Sequence, residues 1–219
     1  MTEQSNEFQR QPILLAPPAV TFLAAGMIAL HALLQVLGPA AQSWTFRNFA
    51  FVPYEFFALF GDRQLDSPMQ TTLTLVTHAF LHGDWAHLLI NMGMFLAFGS
   101  LVERAYRIPA FLAFFVIGAA SGALTQTVFE GGQAFVMIGA SGAVYCMMGV
   151  VVRLLFQSKN PAGRRRAVVL AAVLMALNLF GGLMGVGDLL AGAQIAWQAH
   201  LGGFVTGFLV TFLIRPKAR

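Results

Sequence analysis

The chain has 219 residues, 58% hydrophobic and only 10% charged, with a mean hydropathy of +0.71. Soluble domains carry about 25% charged residues, so this composition excludes a soluble fold and a disordered chain, and Cys146 as the single cysteine excludes a disulfide scaffold. The net charge of +4 comes from basic residues scattered between apolar runs, so no nucleic-acid partner is expected.

Six runs free of Asp, Glu, Lys and Arg follow one another: Ala19–Leu37, Trp85–Leu101, Ile108–Phe129, Phe135–Val152, Ala167–Val186 and Ile195–Ile214. Each spans 17 to 22 residues, the helix length that a hydrocarbon core about 30 Å thick demands. Helices are expected because lipid offers backbone polar groups no other partner, and barrel strands would alternate over shorter segments. The expected fold is an all-α polytopic membrane protein with six transmembrane helices. Residues 1–18 form a short tail, 19–214 one membrane domain, and 215–219 a second tail. The long connection 38–84 carries Trp44, Phe46, Phe49, Phe51, Tyr54, Phe56, Phe57 and Phe60, which points to an interfacial outer loop between spans one and two.

An even number of spans puts both termini on one side. With the termini cytoplasmic, 11 of the 13 Lys and Arg residues fall inside, and only Arg47 and Arg63 fall outside. That bias is the orienting signal. The Arg164–Arg166 run belongs to it and faces lipid headgroups. No cleavable signal peptide is expected, because the first apolar run exceeds a typical h-region; cleavage after Ala40 and Ala41 is the alternative. No internal repeat is visible, so a transporter built on inverted halves is not favoured. Nor do the six spans carry the charged groups that a transport pathway would need.

Polar side chains inside spans are costly and therefore informative. His87 and Asn91 share one face of span two at i, i+4, and Ser141 and Tyr145 share one face of span four. His200 sits in span six. Spans two, four and six run from outside to inside, so His87, Ser141 and His200 lie at similar depth, at most roughly 10 Å below the outer boundary. The chemistry open to such a set is acyl transfer. A serine hydroxyl becomes a nucleophile when a neutral imidazole takes its proton. The oxyanion that forms needs donors, and the His87 imidazole, the Asn91 amide and the Ser141 backbone N–H are the candidates. Gly139 and Gly142 flank Ser141 and let backbone approach it. Gly203 and Gly207 form a small face on which span six packs against span four, bringing His200 to Ser141. No acidic residue lies in span six, so a Ser–His dyad is expected.

These residues are where the chain resembles a known family, the rhomboid intramembrane serine proteases. The matching pieces are His78-x3-His82-x4-His87-x3-Asn91, then Gly139-Ala140-Ser141-Gly142-x2-Tyr145, then His200-x2-Gly203-x3-Gly207. Spacing, order and topology match the six-span bacterial form. The resemblance implies a rhomboid-like bundle in a bacterial inner membrane. It implies Ser141 as nucleophile, His200 as base, and His87, Asn91 and the Ser141 amide as the oxyanion site, with Tyr145 packed on the His200 ring. Its substrates are single-pass membrane proteins cut in or near their transmembrane segment. Glu103 resembles the family's ending of the second span. One departure concerns the Trp-Arg pair that many relatives carry before the first His of the motif. Here that stretch reads Gln70-Thr71-Thr72-Leu73-Thr74-Leu75-Val76-Thr77, so the resemblance does not say what anchors the outer loop.

Other readings remain beside these. A non-catalytic relative that binds transmembrane clients and thins the bilayer is the alternative function. Ser141, His87 and Asn91 have a structural reading as glue between helices. His78 and His82 at i, i+4 lack Cys, Asp or Glu partners at ligand spacing, so no metal or other cofactor is expected. Hydrogen bonding in the outer loop and at the start of span two is their expected role. His31 reads as a satisfied core histidine and Cys146 as a packing residue. The glycines of Gly181-Gly182-Leu183-Met184-Gly185-Val186-Gly187 weaken the end of span five, which points to a lateral gate between spans two and five. The sequence is silent on oligomeric state.

Overall fold

The computed structural model describes residues 16–60, 67–130, 135–157, 160–184 and 196–217, and these are helical apart from short connections. Helix α1 is Pro18–Leu37. Three short helices follow in the long connection: α2, Pro39–Phe49, α3, Pro53–Ala58, and α4, Pro68–Thr77. Helix α5, Trp85–Met94, continues through a π-helical turn, Phe95–Gly99, into α6, Ser100–Ala105. The long helices α7, Ile108–Glu130, and α9, Pro161–Leu183, flank α8, Ser141–Phe156, and α10 is Trp197–Val210. Among the described residues four helical stretches are long and apolar enough to cross a membrane: Pro18–Leu37, Trp85–Ala105, Ile108–Glu130 and Pro161–Leu183.

Local chemistry sets the helix starts. Pro occupies the first turn of α1, α2, α3, α4 and α9, where its missing N–H costs nothing. The Asp84 carboxylate caps α5 by accepting from the His87 N–H at 2.9 Å, and Asn160 caps α9 by accepting from the Ala162 N–H at 3.0 Å. Helix α1 has no such cap of its own. Instead the buried Glu103 carboxylate accepts from the N–H groups of Ala19 at 3.1 Å and Val20 at 2.8 Å. That places a negative charge on the positive end of α1 and joins the first span to the end of the second. Lys217 closes the same corner by donating to the Glu103 carbonyl at 3.0 Å.

Helix α8 is the centre of the bundle, buried continuously from Gly142 to Val152. Helices α7 and α10 pack along it. A Cβ on Gly203 would run into the Gly142 carbonyl oxygen, one on Gly207 into the Cys146 carbonyl oxygen, and one on Gly149 into the Phe204 carbonyl oxygen. The two backbones therefore touch with no side chains between them, the small-residue packing that substitutes for hydrophobic driving force in lipid. Helix α9 is held more loosely, with Ala167, Ala171, Asn178 and Gly181 its buried residues.

Several boundaries differ from the charge-free runs. The fourth run, expected to be helical from Phe135, turns helical only at Ser141. Before it, Met137 pairs with Phe51 in an isolated antiparallel bridge, at 3.0 and 2.8 Å. Gly139 then takes φ +113, a conformation that bars a helix. The fifth helix begins at Pro161 rather than Ala167, so Arg164–Arg166 are helical residues, set there by the Asn160 cap. The sixth helix begins at Trp197. Ile195, Val186 and Gly185 to Gly187 lie outside the described residues.

The long connection is anchored by contacts other than the Trp-Arg pair. Gln70 Nε2 donates to the Asn48 carbonyl at 3.1 Å and to Asn48 Oδ1 at 2.9 Å. Thr77 Oγ1 donates to the Phe49 carbonyl at 2.8 Å. Its aromatics divide between two fates. Trp44, Phe57 and Phe60 are exposed, whereas Phe51 and Phe56 are buried in a second core with Ala123, Met137 and Ala199. Those two rings pin the segment to the bundle instead of lying at an interface.

Candidate active site

Three helices begin at one place. His87 is the third residue of α5, Ser141 the first of α8 and His200 the fourth of α10. The shared depth expected from topology is therefore a shared helix-start layer, because α8 starts at Ser141 itself. The N–H groups of that first turn have no partner within the helix, and the macrodipole makes them good donors.

Ser141 Oγ and His200 Nε2 lie 2.7 Å apart, a short and well-formed hydrogen bond. Tyr145, one turn along α8, stacks flat on the imidazole, with centroids 4.4 Å apart and planes 4° from parallel. Asn91 is buried and donates through Nδ2 to the His87 carbonyl at 3.0 Å. A Cβ on Gly139 would lie 2.6 Å from His87 Nε2 and 3.8 Å from Asn91 Nδ2. Both side chains therefore converge on the bend that precedes Ser141, and only glycine fits between. Gly142 faces α7, where a Cβ would lie 3.2 Å from the Gly118 carbonyl oxygen.

The remaining histidines serve the surroundings. His78 Nδ1 bonds the Thr74 carbonyl at 2.7 Å, and the His78 carbonyl accepts from the Gly139 N–H at 3.0 Å, tying the bend to the segment before α5. Burial pushes the His78 pKa down to about 4. His82 corrects the hydrogen-bonding expectation. Among the described residues neither of its ring nitrogens makes a hydrogen bond of normal geometry, and its nearest backbone group is that of Phe80. It instead packs edge-on against His87, centroids 5.2 Å apart. Burial, with His87 and His31 nearby, pushes its pKa down to about 3, so it is neutral. His31 lies 3.3 Å from Gln35 Nε2 and packs its edge on Trp85.

Two features escaped the sequence reading. Asn178 on α9 reaches His200: its Oδ1 is hydrogen-bonded to His200 Nδ1, while its Nδ2 donates to the Trp197 carbonyl at 3.1 Å. The available signal was that Asn178 is the one hydrogen-bonding side chain between Ala167 and Leu183. The second feature fixes the start of α10. Glu130 accepts from Gln126 at 2.9 Å and from Gln198 at 2.8 Å, and Gln126 Oε1 accepts from the Ala199 N–H at 3.3 Å. This network ties the turn carrying His200 to the end of α7.

A family model described as the Rhomboid domain matches residues 70–217, which include every residue of this site. The chain is similar to RHOMBOID-like protein 4 of Arabidopsis thaliana, 32% identical over 146 residues, covering 65% of this chain and 34% of the relative. It is also similar to Rhomboid protease GlpG of Yersinia pestis (strain Pestoides F), 31% identical over 137 residues, covering 63% of this chain and 46% of the relative. The chain thus spans less than half the length of these curated relatives.

Proposed function

The chain belongs to the rhomboid family, and from that premise we propose that it is an intramembrane serine endopeptidase that cuts single-pass membrane proteins near the outer face of the bilayer. The observation that carries this reading is the 2.7 Å hydrogen bond between Ser141 Oγ and His200 Nε2. A serine with a positioned imidazole is the arrangement that nucleophilic catalysis requires. A non-catalytic client binder would have no use for it.

In this reading Ser141 Oγ attacks the scissile carbonyl while His200 Nε2 takes its proton and later delivers it to the leaving amine. The Ser141 N–H, the His87 imidazole and the Asn91 amide receive the oxyanion around the Gly139 bend. Tyr145 holds the plane of the imidazole. The substrate helix arrives sideways from lipid between α5 and α9, and the sparse burial of α9 supports a displaceable wall there. The six apolar runs cross the membrane, the outer loop lies at the interface, and both termini face the cytoplasm of a bacterial inner membrane, as the Lys and Arg distribution supports.

The test is cleavage of a model transmembrane substrate by purified protein in detergent, together with labelling by a fluorophosphonate probe. Wild type is expected to cleave and to label. Ser141→Ala and His200→Ala are expected to do neither while keeping the wild-type circular dichroism spectrum. Full activity of Ser141→Ala would end the serine-protease reading. Crosslinking the outer ends of α5 and α9 is expected to block the intact substrate, and unimpaired cleavage would remove the gate.

A further inference from the structure

We propose that Asn178 is a positioning residue that fixes the tautomer of His200, so that the unit at work is Ser141, His200 and Asn178 on three different helices. This rests on the serine-protease reading of the site.

The tautomer follows from a chain of donors and acceptors. A backbone carbonyl oxygen only accepts, so the Asn178 group facing Trp197 is its NH₂. Its Oδ1 is then left to face His200 Nδ1. The reversed amide would set oxygen against the Trp197 carbonyl. Because Oδ1 only accepts, Nδ1 carries the proton. A neutral imidazole has a single N–H, so Nε2 is bare and presents its lone pair to the Ser141 hydroxyl at 2.7 Å. In the other tautomer two lone pairs would meet at Asn178, and Nε2–H would point at a hydroxyl it cannot deprotonate. Asn178 is buried, where a mispaired polar group is costly.

Packing brings the short side chain within reach. Gly182, one turn after Asn178 on the same face of α9, lies so close to Trp197 that a Cβ there would enter the ring at Cδ1 and Cγ. Helices α9 and α10 therefore meet with little between them, and an asparagine spans the gap.

The protons balance through the step. As the Ser141 Oγ–carbon bond forms, the carbonyl π pair moves to oxygen and the Oγ proton moves to Nε2. His200 then carries two N–H groups and a positive charge. Its Nδ1–H stays in place, and the bond to Asn178 Oδ1 becomes charge-assisted. The amide takes no proton. The Nε2 proton leaves with the amine when the peptide bond breaks, and water repeats the cycle on the acyl-enzyme.

The experiment uses the full chain in detergent with ¹⁵N-labelled histidine, the His200 signal being identified by its loss in His200→Gln. Wild type is expected to show His200 protonated on Nδ1. Asn178→Leu removes the acceptor at similar size; it is expected to lose that signature and to lower kcat by about ten- to a hundredfold, the scale on which orienters of a histidine act elsewhere, with KM little changed. Asn178→Asp keeps an acceptor for Nδ1 but sets its second oxygen against the Trp197 carbonyl; it is expected to keep His200 protonated on Nδ1 and to move the acid limb of kcat/KM to higher pH, because a carboxylate favours the imidazolium. A wild-type ring protonated on Nε2 would overturn the assignment. So would wild-type tautomer and kcat in Asn178→Leu, or an Asp variant that leaves the acid limb unmoved. If Asn178→Leu fails to fold, the wild-type tautomer and the Asp variant decide. A protein with the expected tautomer that neither cleaves nor labels would end the protease reading and leave the tautomer assignment standing.

Discussion

The phenol ring of Tyr145 lies flat on the imidazole of His200, with centroids 4.4 Å apart and planes 4° from parallel. Tyr145 is four residues after Ser141, so the helix that supplies the hydroxyl also supplies the surface on which the base rests. The stack fixes the plane of the ring, and Nε2 then falls 2.7 Å from Ser141 Oγ. Offset aromatic contact is worth about 0.5–1.5 kcal/mol beyond area burial. Tyr145→Ala is accordingly expected to lower kcat several-fold or more with a small loss of thermal stability, and Tyr145→Phe to stay near wild type. Steady-state cleavage in detergent checks both, and equal losses in the two variants would show that the hydroxyl rather than the ring matters.

The Asn91 amide and His87 Nε2 converge on Gly139. Removing one oxyanion donor costs about 2.7–4 kcal/mol in a soluble serine protease, or about 10²–10³ in kcat. Asn91→Ala is expected to fall in that range, with KM little affected because the donor acts on charge that forms only in the transition state. A change confined to KM would remove Asn91 from the oxyanion site.

Helices α8 and α10 touch at Gly207, where a Cβ would meet the carbonyl oxygen and carbonyl carbon of Cys146. Backbone cannot yield as a flexible side chain can. Gly207→Ala is expected to cost about 1–3 kcal/mol, the usual scale of overpacking, and to loosen the Ser141–His200 contact. Thermal unfolding in detergent measures the first effect and substrate cleavage the second. A variant as stable and active as wild type would show that the two helices separate at little cost.

Acid should weaken the fold through the two histidines that precede the second span. Their ordinary pKa is 6.5, and burial lowers His78 to about 4 and His82 to about 3. Between those values and 6.5 the unfolded chain binds more protons than the folded one, so stability falls as pH falls through that window. It is fully present above 6.5. Thermal unfolding at neutral pH and at pH values below 6.5 is expected to show the decline, and His82→Phe to flatten it. His82→Phe should lose little at neutral pH, since among the described residues neither ring nitrogen makes a well-formed hydrogen bond to give up.

Much of the architecture was legible because lipid constrains it severely. Charge-free length marks the helices, and the glycines at 203 and 207 mark where two of them touch. The start of α8 was not legible, because it depends on the bridge between Phe51 and Met137 and on the backbone of Gly139. The anchoring of the long connection was equally hidden. Gln70 and Asn48 are 22 residues apart, and nothing local pairs them. Phe51 and Phe56 looked like their exposed neighbours in composition and differ only in what lies opposite them.

The sequence by itself determined that this chain lives in a membrane as helices. With so few charges no other solvent suits it, and lipid leaves the backbone no other way to satisfy its polar groups. It also named Ser141, His87 and His200 as polar groups of one depth. Only the tertiary structure decided which atoms meet. Each residue turns the helix by about 100°, so the rotation of α9 determines whether Asn178 faces lipid or His200. That rotation is set by packing at Gly182 and Trp197, and Gly182 is far in sequence from both Ser141 and His200. Depth follows from counting along the chain; a hydrogen bond also requires two helices to agree in rotation and approach, and only their packed surfaces supply that agreement.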